Sequence, residues 1–249
     1  MDKKIERVPS GIHGFDNLCQ GGFVKNSINL VSGTTGSGKT TFAIQFLYNG
    51  ITQYNEPGVY VSFEEDLSSI KEDALSFGWD FDKLEKEGKC SFIYVTPYEK
   101  EFSLFKQKSY IEETLLKEIK KIKATRIVID PISLFAMALK DPYEMRKQIY
   151  YLTKLLKQSK CTILITSEIV GESSLELQEN QYSMNLSRYG VEEFVAESVT
   201  TLHSSGLGGV ADRALSIIKM RRTNHIKGPV PMKITGKGIE VLSRKSSYK

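Results

Sequence analysis

The chain has 249 residues, 40% of them apolar and 26% charged, a balance that argues against a fibre, a disordered chain or a membrane-embedded one. That length leaves room for one large α/β domain or two small ones. Its 34 basic and 30 acidic residues give a net charge of +4, with Arg244, Lys245 and Lys249 crowded into the last six positions, so total charge shows no concentrated basic face of the kind a dedicated nucleic-acid binder needs.

Residues 1–26 form an N-terminal segment, and the first clear strand is Ser27-Ile-Asn-Leu-Val31, followed at once by a glycine-rich loop. From Lys39 to about Gln53 the apolar positions Phe42, Ala43, Phe46, Leu47 and Ile51 recur at helical spacing. Glu56-Pro-Gly58 is a turn into the strand Val59-Tyr-Val-Ser-Phe63. Helical patterns over 67–77 and 80–87 are separated at Phe77-Gly78. A strand at Cys90–Val95 is followed by an amphipathic helix over 109–123, the buried strand Arg126–Asp130 stopped by Pro131, a helix over 143–158 and the strand Cys161–Thr166. Strands alternate with helices from 27 to 166, which predicts right-handed βαβ units and a mainly parallel sheet flanked by helices.

After that point the pattern changes. Residues 170–188 are polar and poorly periodic, a long loop, and Ser198–His203, Ala211–Met220 and Met232–Leu242 are β-rich with glycines between them. They are expected as antiparallel strands or hairpins that extend the sheet. No repeat and no Pro/Ser-rich linker interrupts the chain, so one domain over 1–249 is expected, ending in a flexible basic tail at 243–249. Cys19, Cys90 and Cys161 are odd in number and far apart, without zinc or disulfide spacing. They are expected to be reduced, mostly buried thiols of a cytoplasmic protein. Met1-Asp-Lys-Lys-Ile-Glu6 carries no apolar signal region, and no apolar run approaches the ~20 residues of a membrane span.

The sharpest signal is Gly33-Thr-Thr-Gly-Ser-Gly-Lys39-Thr40, a full match to G-x-x-x-x-G-K-[ST], placed after a strand and opening a helix as phosphate binding requires. Gly33, Gly36 and Gly38 let backbone N–H groups turn inward around a phosphate, and the helix N-terminus adds its positive end. Thr34, Thr35, Ser37 and Thr41 complete the expected ATP-binding set with Lys39, which would bridge the β- and γ-oxygens. The Thr40 hydroxyl would ligate Mg2+. Such a loop also needs a carboxylate for the magnesium shell at the end of a neighbouring buried strand, and Asp130 fits.

Glu64 and Glu65 follow the strand 59–63, on the carboxyl edge where open α/β sheets bind ligands. One is a candidate general base with the other orienting it, although Glu64-Glu-Asp66 is equally a favourable charge arrangement before a helix. Thr166, Ser167 and Glu168 end their strand at the same edge and are candidates to feel the γ-phosphate.

Together these motifs resemble the KaiC-type domains, the RecA-like ATPase module of circadian clock proteins and their single-domain archaeal relatives. The likeness runs from about Ser10 to Leu242. It includes Phe42-Ala-Ile-Gln-Phe-Leu-Tyr-Asn-Gly50, Glu56-Pro-Gly-Val-Tyr-Val-Ser-Phe-Glu-Glu65, Ser76-Phe-Gly-Trp-Asp80, Ser187-Arg-Tyr-Gly-Val-Glu-Glu-Phe194 and Lys219-Met-Arg-Arg-Thr-Asn-His-Ile-Lys-Gly228.

The resemblance implies a RecA-like core, ATP held between neighbouring subunits and homo-oligomeric rings that are usually hexamers. It makes Glu64 and Glu65 the paired catalytic glutamates and sends Lys219 and Arg221 in trans to the adjacent γ-phosphate. It puts Thr223 and His225 near that nucleotide's ribose or base. Arg222 stands where the family usually has glycine, which would change how closely that strand approaches the nucleotide. Arg188-Tyr-Gly-Val-Glu-Glu193 resembles the ATPase-type first half of the two-domain clock proteins. The Ser-Thr pair autophosphorylated in their second half is replaced by Glu192-Glu193, so a phosphorylating role is not implied.

Three functions stay open at this point: a ring-forming, slowly hydrolysing ATPase for signalling or scaffolding, a DNA-dependent RecA-like ATPase, and a nucleotide-gated binding module. From Ser167 to Thr200 the acidic residues 168, 172, 176, 179, 192, 193 and 197 face Arg188 alone, a charge that would repel a polyanion from an axial channel.

Overall fold

The computed structural model describes residues 5–95, 104–135, 141–169, 186–206, 208–209 and 212–242. In chain order the elements are β1 (Arg7–Val8), β2 (Phe23–Val24), β3 (Ile28–Gly33), α1 (Lys39–Tyr54), β4 (Gly58–Ser62), α2 (Leu67–Ser76), α3 (Phe81–Lys86), β5 (Cys90–Tyr94) and α4 (Leu104–Ile122). Then come β6 (Arg126–Asp130), α5 (Ile132–Phe135), α6 (Pro142–Gln158), β7 (Thr162–Glu168), α7 (Glu192–Val195), β8 (Ser198–Ser204), β9 (Arg213–Met220), β10 (Val230–Thr235) and β11 (Gly238–Val241).

Nine strands form one sheet in the order β11-β10-β9-β8-β3-β7-β6-β4-β5. From β8 to β5 every pairing is parallel, and from β8 through β9 and β10 to β11 every pairing is antiparallel. The mainly parallel α/β sheet is therefore present, with one correction. Ser198–Ser204 lies parallel to β3, because the chain crosses back over the sheet face before entering it, and the antiparallel extension starts only at β9. Met232–Leu242 is the expected antiparallel hairpin, its two strands turning at Gly236-Lys237. Ahead of β3, within the described residues 5–26, β1 and β2 make a small antiparallel ladder of their own.

β3 is buried along its whole length, since both sheet faces are covered. On one face Val31, Val128 and Leu164 pack with Phe42, Phe46 and Leu47 of α1. On the other, Ile28, Leu30, Ile127, Ile163 and Ile165 pack with Leu115, Ile119 and Ile122 of α4 and Ile149, Leu152 and Leu156 of α6. Cys19, Cys90 and Cys161 are all free and buried, and burial pushes the Cys19 and Cys90 thiols up to about 12. Among the described residues no helix is long and apolar enough to cross a membrane.

A cation sits inside this framework. Arg126, the first residue of β6, is fully buried. It donates from Nε to Glu56 at 2.7 Å, and from its two terminal nitrogens to the Phe46 carbonyl at 2.8 Å and the Pro9 carbonyl at 2.8 Å. Its guanidinium lies over the Phe46 ring, 4.4 Å from the centroid. One side chain thus joins α1, the turn before β4 and the N-terminal segment. Gly50 lies against it so closely that a Cβ there would collide with the guanidinium.

Candidate functional site

The loop after β3 is built for an anion. Thr34 starts a turn closed by the Ser37 N–H donating to the Thr34 carbonyl at 3.2 Å, and Gly36, at its third position, has φ 74°, which a type II turn demands there. Gly38 caps α1 at φ 101° with no side-chain hydrogen bond, and the first turn contains no acidic residue. The opening amides of the helix are therefore left without a side-chain cap, the arrangement into which a phosphate fits. A Cβ on Gly33 would meet the Ser37 side chain and the Leu202 carbonyl, so the strand end is also tight. Thr34 and Thr35 are exposed, and Gly38, Lys39, Thr40 and Thr41 are half-buried. The Ser37 hydroxyl is buried and has no partner among the described residues.

Lys39 donates to the Thr34 carbonyl at 3.0 Å. Burial pulls its pKa down, and Glu168, Asp130 and Glu64 push it back up. The carboxylates expected at this edge thus converge on the loop lysine. Asp130, expected on the neighbouring strand, ends β6 instead, and β7 separates β6 from β3. The intervening strand has a use: Thr166 of β7 donates its hydroxyl to Asp130 Oδ1, and Tyr60 of β4 donates to Oδ2. Alternation puts Tyr60, Asp130 and Thr166 on the α1 face of their three strands, so the carboxylate is fixed from both sides.

Glu64 and Glu65 lie just beyond β4 in a turn held by the Ser62 hydroxyl, which donates to the Glu65 carbonyl at 2.6 Å. Of Glu64-Glu-Asp66, the helix-capping part falls to Asp66 alone. Asp66 caps α2, accepting from the Ser68 N–H at 2.8 Å and from the Ser68 and Ser69 hydroxyls. Among the described residues no hydrogen bond or ion pair engages the Glu64 or Glu65 carboxylate. Burial, then Glu168 and Asp130, raise the Glu64 pKa above its ordinary value, and burial, then Asp130, do the same for Glu65.

Among the described residues no group of three or more His, Cys, Asp or Glu could enclose a metal ion. A hydroxyl at Thr40, a carboxylate at Asp130 and otherwise water and phosphate oxygens are the donor set that magnesium accepts. The residues present fit that ion and do not fit a protein-caged transition metal.

Sequence reasoning missed four neighbours of this edge. Arg213, the first residue of β9, donates to the Gly36 carbonyl at 2.6 Å. Arg188 pairs with Glu168 at 2.8 Å, Tyr60 holds Asp130, and Glu192 is fully buried beside Ser167. Of the three strand-end candidates, Thr166 is turned to Asp130, Ser167 to Glu192, and only Glu168 acts on Lys39. Residues 172, 176 and 179 of the acidic count lie outside the described residues.

Lys219, Arg221, Thr223 and His225 are elsewhere. Lys219 stands opposite Val199, which stands opposite Leu30, while the Arg221 N–H reaches the Glu197 carbonyl at the level of Ile28. Ile28 is about 17 Å along the strand from Gly33, and β9 is two strands away from β3. These residues mark the opposite edge of the sheet from their own phosphate loop. The Lys219 ammonium donates to the Glu193 carbonyl at 2.6 Å, and burial and Arg221 lower its pKa. The Arg221 guanidinium is exposed and has no hydrogen bond or ion pair among the described residues. Thr223 accepts from Arg7 at 2.6 Å. His225 is buried with Nδ1 3.0 Å from the Ile226 carbonyl, which assigns its ring a local structural contact in this chain.

Arg222 adopts φ 57°, a left-handed backbone that glycine enters freely and a branched residue does not. Arg222→Gly is therefore expected to keep or slightly raise stability, and Arg222→Val to lower it by about 1–2 kcal/mol. Chemical denaturation of both variants checks this; equal loss in the two would show that the side chain, not the backbone, matters.

A mainly parallel sheet with a phosphate loop after β3, an acid two strands away at the end of β6 and an antiparallel extension defines a P-loop domain of RecA-like architecture. The family model for the KaiC ATPase matches residues 8–246. The circadian clock oscillator protein KaiC of Thermostichus vulcanus is 37% identical over 245 residues, covering 96% of this chain and 44% of that protein. Its counterpart from Synechococcus elongatus is 37% identical over 244 residues, with the same coverage. A KaiC-like protein from the hyperthermophilic archaeon Pyrococcus horikoshii superposes with a TM-score of 0.82 at 36% identity, over 96% of this chain and 100% of that one. The chain belongs to the KaiC ATPase family, and it spans less than half the length of the curated clock proteins it matches.

Proposed function

We propose that the chain binds ATP with magnesium on residues 33–41 and hydrolyses it slowly at sites shared between copies of itself, in a ring that serves signalling or scaffolding in the cytoplasm. One observation carries this proposal: Glu168, Asp130 and Glu64 surround Lys39 at one sheet edge, with Glu65 beside Glu64 and Asp130, while the cations Lys219 and Arg221 stand at the other, away from that phosphate loop. A single chain therefore offers the two halves of a site at opposite ends.

The loop amides and Lys39 would hold the β- and γ-phosphates, and Thr40 and Asp130 would hold the cation, whose chemistry is to neutralise charge on those oxygens. Glu64, with a raised pKa and no competing partner among the described residues, would take a proton from the attacking water, with Glu65 beside it. Lys219 and Arg221 of a neighbouring copy would meet the charge that builds on the γ-phosphate. Phe194, 74% exposed, and Arg221, without a partner among the described residues, leave that second edge open to a neighbouring copy.

Mixing tests the shared site. Lys39→Ala and Arg221→Ala chains are each expected to be inactive. Mixed in equal amounts, they should regain turnover, because about one site in four of a random head-to-tail ring pairs an intact loop with an intact arginine. No recovery from subunits shown to co-assemble by native mass measurement would refute the proposal.

A further inference from the structure

The two sheet edges are physically joined through a short helix. Ser167, at the phosphate end of β7, donates to Glu192 Oε1 at 3.0 Å, and Glu192 Oε2 accepts from the Ser187 hydroxyl at 2.8 Å and the Val191 N–H at 3.2 Å. Glu192 has no exposed surface and, among the described residues, no cation in contact. A carboxylate stripped of water and held only by neutral donors is expensive to keep. The same Ser187 hydroxyl also reaches the Glu193 carboxylate, the Arg188 N–H donates to Ser167 Oγ at 3.3 Å, and the Arg188 guanidinium closes on Glu168.

The far end of this assembly is Lys219. β8 and β9 contain a bulge: Thr200 faces Ile217 and Val199 faces Lys219, so Ile218 is the extra residue. The extra residue reverses the alternation, turning Lys219 to the face on which Val199 and α7 lie. There its ammonium meets the Glu193 carbonyl at 2.6 Å, one peptide from Glu192.

We propose that Glu192 is a positioning residue that sets Lys219, so that the state of a subunit's own phosphate edge, felt at Ser167 and Glu168, adjusts the lysine it offers to its neighbour. The inference rests on the shared site proposed above. Glu192 touches no reacting atom; it acts by fixing α7. A shift of Ser167 or Glu168 on nucleotide binding moves the hydroxyl that donates to Glu192 or the carboxylate that accepts from Arg188, two of the contacts tying the segment that carries α7 to β7, and Lys219 follows through Glu193.

Glu192→Ala in the full chain should leave ATP affinity at its own loop within about twofold and lower kcat about tenfold, since small misplacements of a charged group at a phosphoryl site are costly. Glu192→Gln, which keeps acceptors for Ser187 and Val191 and a group to meet Ser167, should restore most of the rate. Ser187→Ala, a small change in the same network, serves if Glu192→Ala does not fold, and should show the same split between kcat and affinity. The deciding readout is complementation. Mixed with Lys39→Ala chains, whose Lys219 and α7 are intact, the Glu192→Ala chains should regain turnover as Arg221→Ala chains do. If the Arg221→Ala control complements and the Glu192→Ala and Ser187→Ala chains do not, Glu192 serves its own site only and the inference is overturned. If the control itself fails, the shared site falls and takes the inference with it.

Discussion

Replacing Glu64 by glutamine is expected to lower turnover by 10²–10⁴-fold, about the contribution of a positioned general base, while magnesium-dependent ATP binding persists. Glutamine keeps the shape and removes both the charge and the proton-accepting oxygen. The double replacement Glu64→Gln with Glu65→Gln should remove what remains. The pH dependence follows from the same environment. Burial and the neighbouring Glu168 and Asp130 raise the Glu64 pKa, so the base form is lost at a higher pH than for an ordinary glutamate near 4.3, and the acid limb of kcat should lie above that value.

Stability should move the other way. A carboxyl whose folded pKa is raised contributes stability while protonated and loses it as pH rises through the folded value, so at neutral pH Glu64 is a mild burden on the fold. Glu64→Gln is thus expected to melt no earlier than the parent. A variant that hydrolyses ATP at the parental rate would remove Glu64 from the mechanism, and one that is inactive but unfolded would not count as support.

The largest loss of stability is expected at Arg126. Alanine there deletes three donors to Glu56, Phe46 and Pro9, opens a cavity beside the Phe46 ring and strands a half-buried carboxylate. Breaking a buried pair by removing one partner costs about 3–5 kcal/mol, a large fraction of the 5–15 kcal/mol that typically holds a domain together. For a chain of this size that corresponds to a fall in Tm on the order of 10 °C. Arg126→Lys should recover little, because a single ammonium does not span three acceptors in different directions. A fall of less than about 2 °C would show that water or a relaxed core replaces the guanidinium.

What the sequence reveals here depends on how local the cause is. The phosphate loop is legible because its strand, glycines and helix start lie within fifteen residues, and its conformation is set by those residues alone. The shared placement of Asp130, Glu64 and Glu65 is legible because a parallel sheet puts every strand's carboxyl end on one edge. The direction of Ser198–Ser204 is not legible, since only the crossing that precedes it decides parallel or antiparallel. β1 and β2 are two residues each, too short for any periodicity. Arg126 reads as an ordinary basic residue before a strand, because nothing in its neighbours' identities announces that Glu56, Phe46 and Pro9 will close around it. The choice of Asp66 over Glu64 and Glu65 as the cap of α2 follows from side-chain length, and composition alone does not rank the three.

Arg7 has a consequence for how the second edge would meet the neighbouring copy proposed above. Its guanidinium binds the Thr223 hydroxyl and the Arg222 carbonyl, pinning the corner between β9 and β10 to the N-terminal ladder. A corner already held in one conformation has little freedom left to surrender on docking, and each long side chain that need not be frozen spares about 0.5–1.5 kcal/mol of association. Cutting that tether with Arg7→Ala would leave every contact residue in place and still weaken docking, through disorder rather than through chemistry.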